Sequence, residues 1–97
     1  MISTARYPTP NASKYVQQLA RHFAHKIEVR TEADSAAFEM EAGSVRLRAE
    51  DGTFVARVEA EDAKGVINLR YVIDKHLVIF AFRDGFTRLD WKVVEAA

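Results

Sequence analysis

Cysteine is absent from the 97-residue chain, which excludes disulfides, thiolate metal sites and cysteine nucleophiles together. No apolar run approaches the roughly 20 residues needed to cross a bilayer, so no membrane partner is expected. The opening Met-Ile-Ser-Thr-Ala-Arg-Tyr lacks the apolar core of a secretory signal, and a cytoplasmic location is the simplest expectation. Net charge is missing too. Lys and Arg total 14, as do Asp and Glu, which argues against a dedicated nucleic-acid binder while leaving a local patch open. No acid precedes Glu28, so Arg6, Lys14, Arg21 and Lys26 leave the first part of the chain positive. Proline occurs only at Pro8 and Pro10, where the pair ends a first strand spanning Ile2 to Pro8.

What is present reads as one small domain over residues 1–97, long enough for a single core. Its centre is the run from Ile27 to Ala60, where apolar and charged residues alternate in four segments. Ile27, Val29 and Thr31 alternate with Glu28, Arg30 and Glu32, and Phe38, Met40 and Ala42 with Glu39 and Glu41. Val45, Leu47 and Ala49 alternate with arginines and Glu50, and Phe54, Ala56 and Val58 with Val55, Arg57 and Glu59. A period of two sends neighbours to opposite faces, so each segment is a strand with one apolar face. Asp51-Gly52 predicts a tight hairpin, with weaker turns at Ala33-Asp34-Ser35 and Ala42-Gly43.

Two helices flank this meander and cover its apolar face. The first starts with Asn11 as N-cap and runs to about Lys26, burying Ala12, Val16, Leu19, Ala20 and Phe23. The second opens at Glu61 and Asp62 and runs to about Ile79. Its inward stripe is Val66, Leu69, Ile73, Leu77 and Phe80, flanked by Val72 and His76, and Gly65 is tolerated near its start. Asp84-Gly85 makes a turn before a closing strand in which Leu89, Trp91 and Val93 alternate with Arg88, Asp90 and Lys92. The expected fold is α+β: a single antiparallel sheet of the meander plus both terminal strands, with two helices on one face, in the order β-α-β-β-β-β-α-β.

His22-Phe23-Ala24-His25-Lys26, read with the stretch from His76 to Arg83, resembles the paired signatures of the domain-of-unknown-function 2218 family of small bacterial proteins. The likeness extends from Ala5-Arg6 and Asn11-Ala12-Ser13 to Leu89-Asp90-Trp91. It implies no established reaction and no cofactor. Members sometimes stand beside, or are fused to, siderophore-interacting flavoproteins, which implies a link to iron.

The histidines carry three competing chemical readings. His22, His25 and His76 are candidate metal ligands, since imidazoles three apart can share one side of a helix. His25 lies about 60° round from His22, however, and Arg21 and Lys26 oppose a cation, so no metal is expected. The favoured functional reading is a small anion, such as a catechol or carboxylate siderophore or a flavin phosphate, held by His22, Lys26, His76 and Arg83 between walls of Tyr15 and Phe82. Its plainer counterpart pairs Lys26 and Arg83 with strand-end acids and leaves His76 a satisfied boundary residue. Catalysis is not expected. Ser3, Ser13, Ser35 and Ser44 have no catalytic motif around them, and His76 does not face Asp74 on one helix.

Assembly is a separate expectation. Ile67, Tyr71 and Val78 form a second apolar line on the second helix, suited to a homodimer, as is an unpaired sheet edge. If Val78 to Phe82 leave the helix early, that line shrinks to Ile67 and Tyr71.

Overall fold

The computed structural model describes residues 1–94 of the chain. The elements are β1 (Ile2–Pro8), α1 (Ala12–Ala24), β2 (Val29–Glu32), β3 (Ser35–Met40), β4 (Gly43–Glu50), β5 (Thr53–Glu59), α2 (Ala63–Ala81), a short 3₁₀ turn (Phe82–Asp84) and β6 (Trp91–Val94). They form a single antiparallel sheet in the order β2-β3-β4-β5-β1-β6, with the N-terminal strand between β5 and β6. The expected α+β architecture and element order are as the alternation and helical stripes imply. Among the described residues no helix is long and apolar enough to cross a membrane.

The core lies between one sheet face and both helices. Phe54, Ala56 and Val58 of β5 and Val45 and Leu47 of β4 point to it from below. Val16 and Leu19 of α1 and Leu69, Ile73 and Leu77 of α2 close it from above. α1 lies over β3 to β5 and α2 over β1, β4 and β5. At the Asp51-Gly52 hairpin both residues take positive φ, 48° and 71°, the conformation of a type I′ turn. The two edge strands, β2 and β6, have only four residues each, which limits edge-to-edge pairing.

Local details depart from the sequence expectation in six places. Asn11 does not cap α1 with its side chain; its own N–H donates to the Thr9 hydroxyl at 3.1 Å, because its backbone (φ −98°, ψ 16°) is not extended as a capping residue's is. α1 stops at Ala24 rather than Lys26, and the N–H groups of Lys26 and Ile27 both turn back to the Phe23 carbonyl at 3.0 Å. α2 continues to Ala81, past Ile79, so Val78 stays helical, and the buried stripe ends on Ala81 while Phe80 is half-buried. Glu61 and Asp62 precede that helix, with the Asp62 carboxylate capping the Gly65 N–H at 2.8 Å. Leu89 is buried but lies outside β6, since its N–H is held by the Asp74 carboxylate at 3.0 Å instead of a strand partner. Gly65 is more than tolerated. A Cβ there would meet the Ala60 methyl at 2.7 Å and the Ala42 carbonyl at 3.0 Å, so the start of α2 sits on the sheet at a distance only glycine allows.

Candidate functional site

α1 and α2 run side by side in opposite directions. Tyr15, near the start of α1, meets Asp84 just beyond α2, and His22, near the end of α1, meets His76 within α2. The two imidazole centroids are 4.6 Å apart, and the His22 ring also lies 6.2 Å from Phe80. Phe23 packs between His76 and Phe38, at 5.0 and 4.7 Å. One end of the seam is therefore a run of rings that opens to solvent at His22.

The tautomer of His76 follows from its neighbour. Its Nδ1 lies 2.7 Å from the Val72 carbonyl, an acceptor, so Nδ1 donates and Nε2 carries the free lone pair of the neutral ring. This is the satisfied boundary position expected for His76. His22 is held below its ordinary 6.5, first by partial burial against these rings and then by His76, Lys26 and His25, whose positive charges oppose its own. The free His76 nitrogen, the neutral His22 ring and the Lys26 ammonium thus gather at one end of the seam.

Tyr15 and Arg83 belong to the other end. The Tyr15 ring is buried, and its hydroxyl donates to Asp84 Oδ2 at 2.5 Å, with the Thr9 hydroxyl donating to the same oxygen at 3.3 Å. Burial and this bond push the Tyr15 phenol up to about 12, and burial with the Asp84 charge also raises Tyr7. Arg83 and Phe82 are exposed, with the guanidinium 5.7 Å over the neighbouring Phe82 ring. Seven residues of helix, about 10 Å, separate Tyr15 from His22 on α1 and His76 from the Arg83 position. The six candidate residues for a small ligand thus divide into His22, Lys26 and His76 at one end and Tyr15, Phe82 and Arg83 at the other. Among the described residues, neither Lys26 nor Arg83 makes the ion pair expected of it.

His25 does not complete a metal site with His22 and His76. Among the described residues no group of three histidines or carboxylates is placed to hold an ion. Asp74 is occupied by the Leu89 N–H and by Trp91 Nε1 at 3.1 Å, so it orients strand β6 rather than His76. Of the candidate interface residues, Ile67 and Tyr71 are 62% and 64% exposed, and Val78 is half-buried. Phe82, 62% exposed, lies one turn beyond Val78 and prolongs the same line.

One further side chain borders the seam without a motif to mark it. Gln18 sits three residues after Tyr15 and four before His22, on the α1 face that borders the seam, and its Oε1 is buried with no hydrogen-bond partner among the described residues. The i, i+3, i+7 spacing of Tyr15, Gln18 and His22 was the available signal.

The sequence profile of a family described as an uncharacterised protein conserved in bacteria (DUF2218) matches residues 4–92. The NMR structure of PA4090 from Pseudomonas aeruginosa is similar to this chain, with a TM-score of 0.80 and 22% identity over 98% of each chain. That likeness is one of fold. No curated protein matches the chain.

Proposed function

From the premise that the chain belongs to the DUF2218 family of proteins conserved in bacteria, we propose that it is a non-catalytic, cytoplasmic binding domain for a small planar acid. A catechol or hydroxy-carboxylate fragment of an iron chelator is the ligand class that suits the site best. The observation that carries this reading is the cross-helix imidazole pair, 4.6 Å between centroids, with its ring wall of Phe80 and Phe23. A planar ring stacks on such a wall. Its acidic oxygens meet the Lys26 ammonium, and its hydroxyl donates to the free nitrogen of His76 or to the orphaned Gln18 oxygen. Binding without chemistry suits a site in which His76 has no carboxylate to orient it. A siderophore-interacting flavoprotein, of the kind that accompanies some family members, is the partner to which such a ligand would pass.

Dihydroxybenzoate is the probe that tests this. Added to the native protein, it should shift the His22 and His76 ring resonances saturably, and Lys26→Ala should weaken binding by about tenfold, the loss of one charge-assisted bond. Unmoved histidine signals at millimolar probe would remove the proposal.

A second reading rests on a different observation. The exposed line of Ile67 and Tyr71 on α2, prolonged by Phe82 in the turn that follows, suits a twofold contact between copies of the chain, with no ligand involved.

A further inference from the structure

The face of the sheet turned away from the helices is not a uniform mixture of charges. The strand registers set Arg30, Ala37, Arg46 and Arg57 side by side in one row across β2 to β5. The next row runs Glu32, Ser35, Arg48, Val55 and then Arg6 on β1. Ala37 and Ser35 are too short to fill the space between Arg30 on one side and Arg46 and Arg48 on the other. A depression of about 480 Å³ opens there, lined by four arginines and a single carboxylate, Glu32, a balance of 4 − 1 = +3.

Several features make this more than a wet surface. Arg46 and Arg57 stand directly opposite each other, a like-charge pairing that weakens a sheet. A face shaped for solubility alone interleaves its signs. Neighbouring acids are partly engaged: Glu50 accepts from Arg48 at 2.6 Å and Glu59 lies 3.9 Å from Arg57. Among the described residues, Arg30 and Arg46, on the two sides of the depression, have no ion-pair partner. No aromatic side chain lines it, which removes the stacking platform that single-stranded nucleic acids use.

We propose that this depression is a second binding site, separate from the helix seam, for a small phosphorylated compound carrying at least two negative charges. Guanidinium groups present paired N–H donors that match phosphate oxygens, and a phosphate accepts such pairs from several directions at once. A planar carboxylate accepts them from one edge and carries half the charge. Ala37 is the floor against which the phosphate rests, and Arg30 and Arg46 close on it from opposite sides.

Inorganic pyrophosphate titrated into the native protein, followed by amide NMR, tests the assignment. The amides of Ala37, Arg46 and Arg57 should move saturably, and Arg46→Gln or Arg30→Gln should each weaken binding by about tenfold. His22→Ala should leave it unchanged, and the amide spectrum itself reports whether each variant is folded. Unmoved amides on β3 and β4, affinity in both arginine variants unchanged from that of the native protein, or tighter binding of citrate than of pyrophosphate would overturn the proposal. Tighter binding of a single-stranded oligonucleotide would overturn it as well, by assigning the face to a polymer.

Discussion

At Tyr15 one hydroxyl joins the start of α1 to the turn that follows α2. The ring is buried while its tip reaches Asp84, and the phenol is pushed up to about 12 from an ordinary 10.0. The fold therefore favours the neutral phenol. The stability it contributes is complete below pH 10 and is lost as pH climbs through about 12. Tyr15→Phe should lower stability by about 1–2 kcal/mol, the value of a bond to an ionised acceptor at the surface, and should abolish that alkaline loss; urea denaturation at several pH values reads both effects. His22 works in the opposite sense. Its value is depressed, so its contribution is present above pH 6.5 and is lost as pH falls through the folded value. Ring-proton NMR should find its midpoint below 6.5, and His76→Gln should raise that midpoint only partway, because burial is the larger cause. Both histidines were legible as a seam, since each falls on the flank of an inward stripe. That Tyr15 and Arg83 lie at its far end was not, because helical spacing sets a face and leaves the neighbour's direction open.

Among the elements, β6 is held to α2 chiefly by Asp74, with the Arg70 guanidinium also 5.8 Å over the Trp91 ring. Asp74 accepts from the Leu89 N–H at 3.0 Å and from Trp91 Nε1 at 3.1 Å, while partial burial raises its carboxyl above the usual range against the pull of these donors and of Arg70 and Arg88. Asp74→Ala strands both donors and should cost about 1–3 kcal/mol. Asp74→Asn keeps an acceptor and removes the buried charge, so it should cost distinctly less; equal losses in urea denaturation would show the bonds to be unimportant. In the sequence Asp74 suggests only a partner for His76, because a carboxylate two residues from a histidine points to catalysis more readily than to a strap. Element ends were the least legible feature. α2 outran its expected end because Ala81 buries well there, and Asn11 stands before α1 without a side-chain capping bond because its backbone is turned and its own N–H is held by Thr9, which no propensity foretells.

On the scale of the whole molecule, a zero net charge conceals segregation. One depression on the open sheet face collects arginines, α2 offers an apolar line, and the core side is charge-free. Alternation in the sequence told which residues share a strand face, but the rows across the sheet require the register, which comes only with the fold. The apolar line carries its own prediction. If copies of the chain meet through α2, Tyr71→Glu should give a folded protein of half the native mass by light scattering or native mass spectrometry. An unchanged mass would exclude this helix from any contact between copies.

The order β2-β3-β4-β5-β1-β6 also has a history in time. Strands β2 to β5 pair neighbour with neighbour through short turns and can zip as they are made. β1 is synthesised before all of them yet can join the sheet only after β5, because Ile2 pairs with Glu59 on one side and with Val94 on the other. Closing so long a loop costs entropy before any contact compensates for it, which makes the docking of β1 the natural slow step of folding. On the ribosome, the first strand stays unpaired until β5 emerges, while the apolar stripe of α1 begins to be covered once β3 and β4 are made, the interval in which a nascent chain most needs a chaperone.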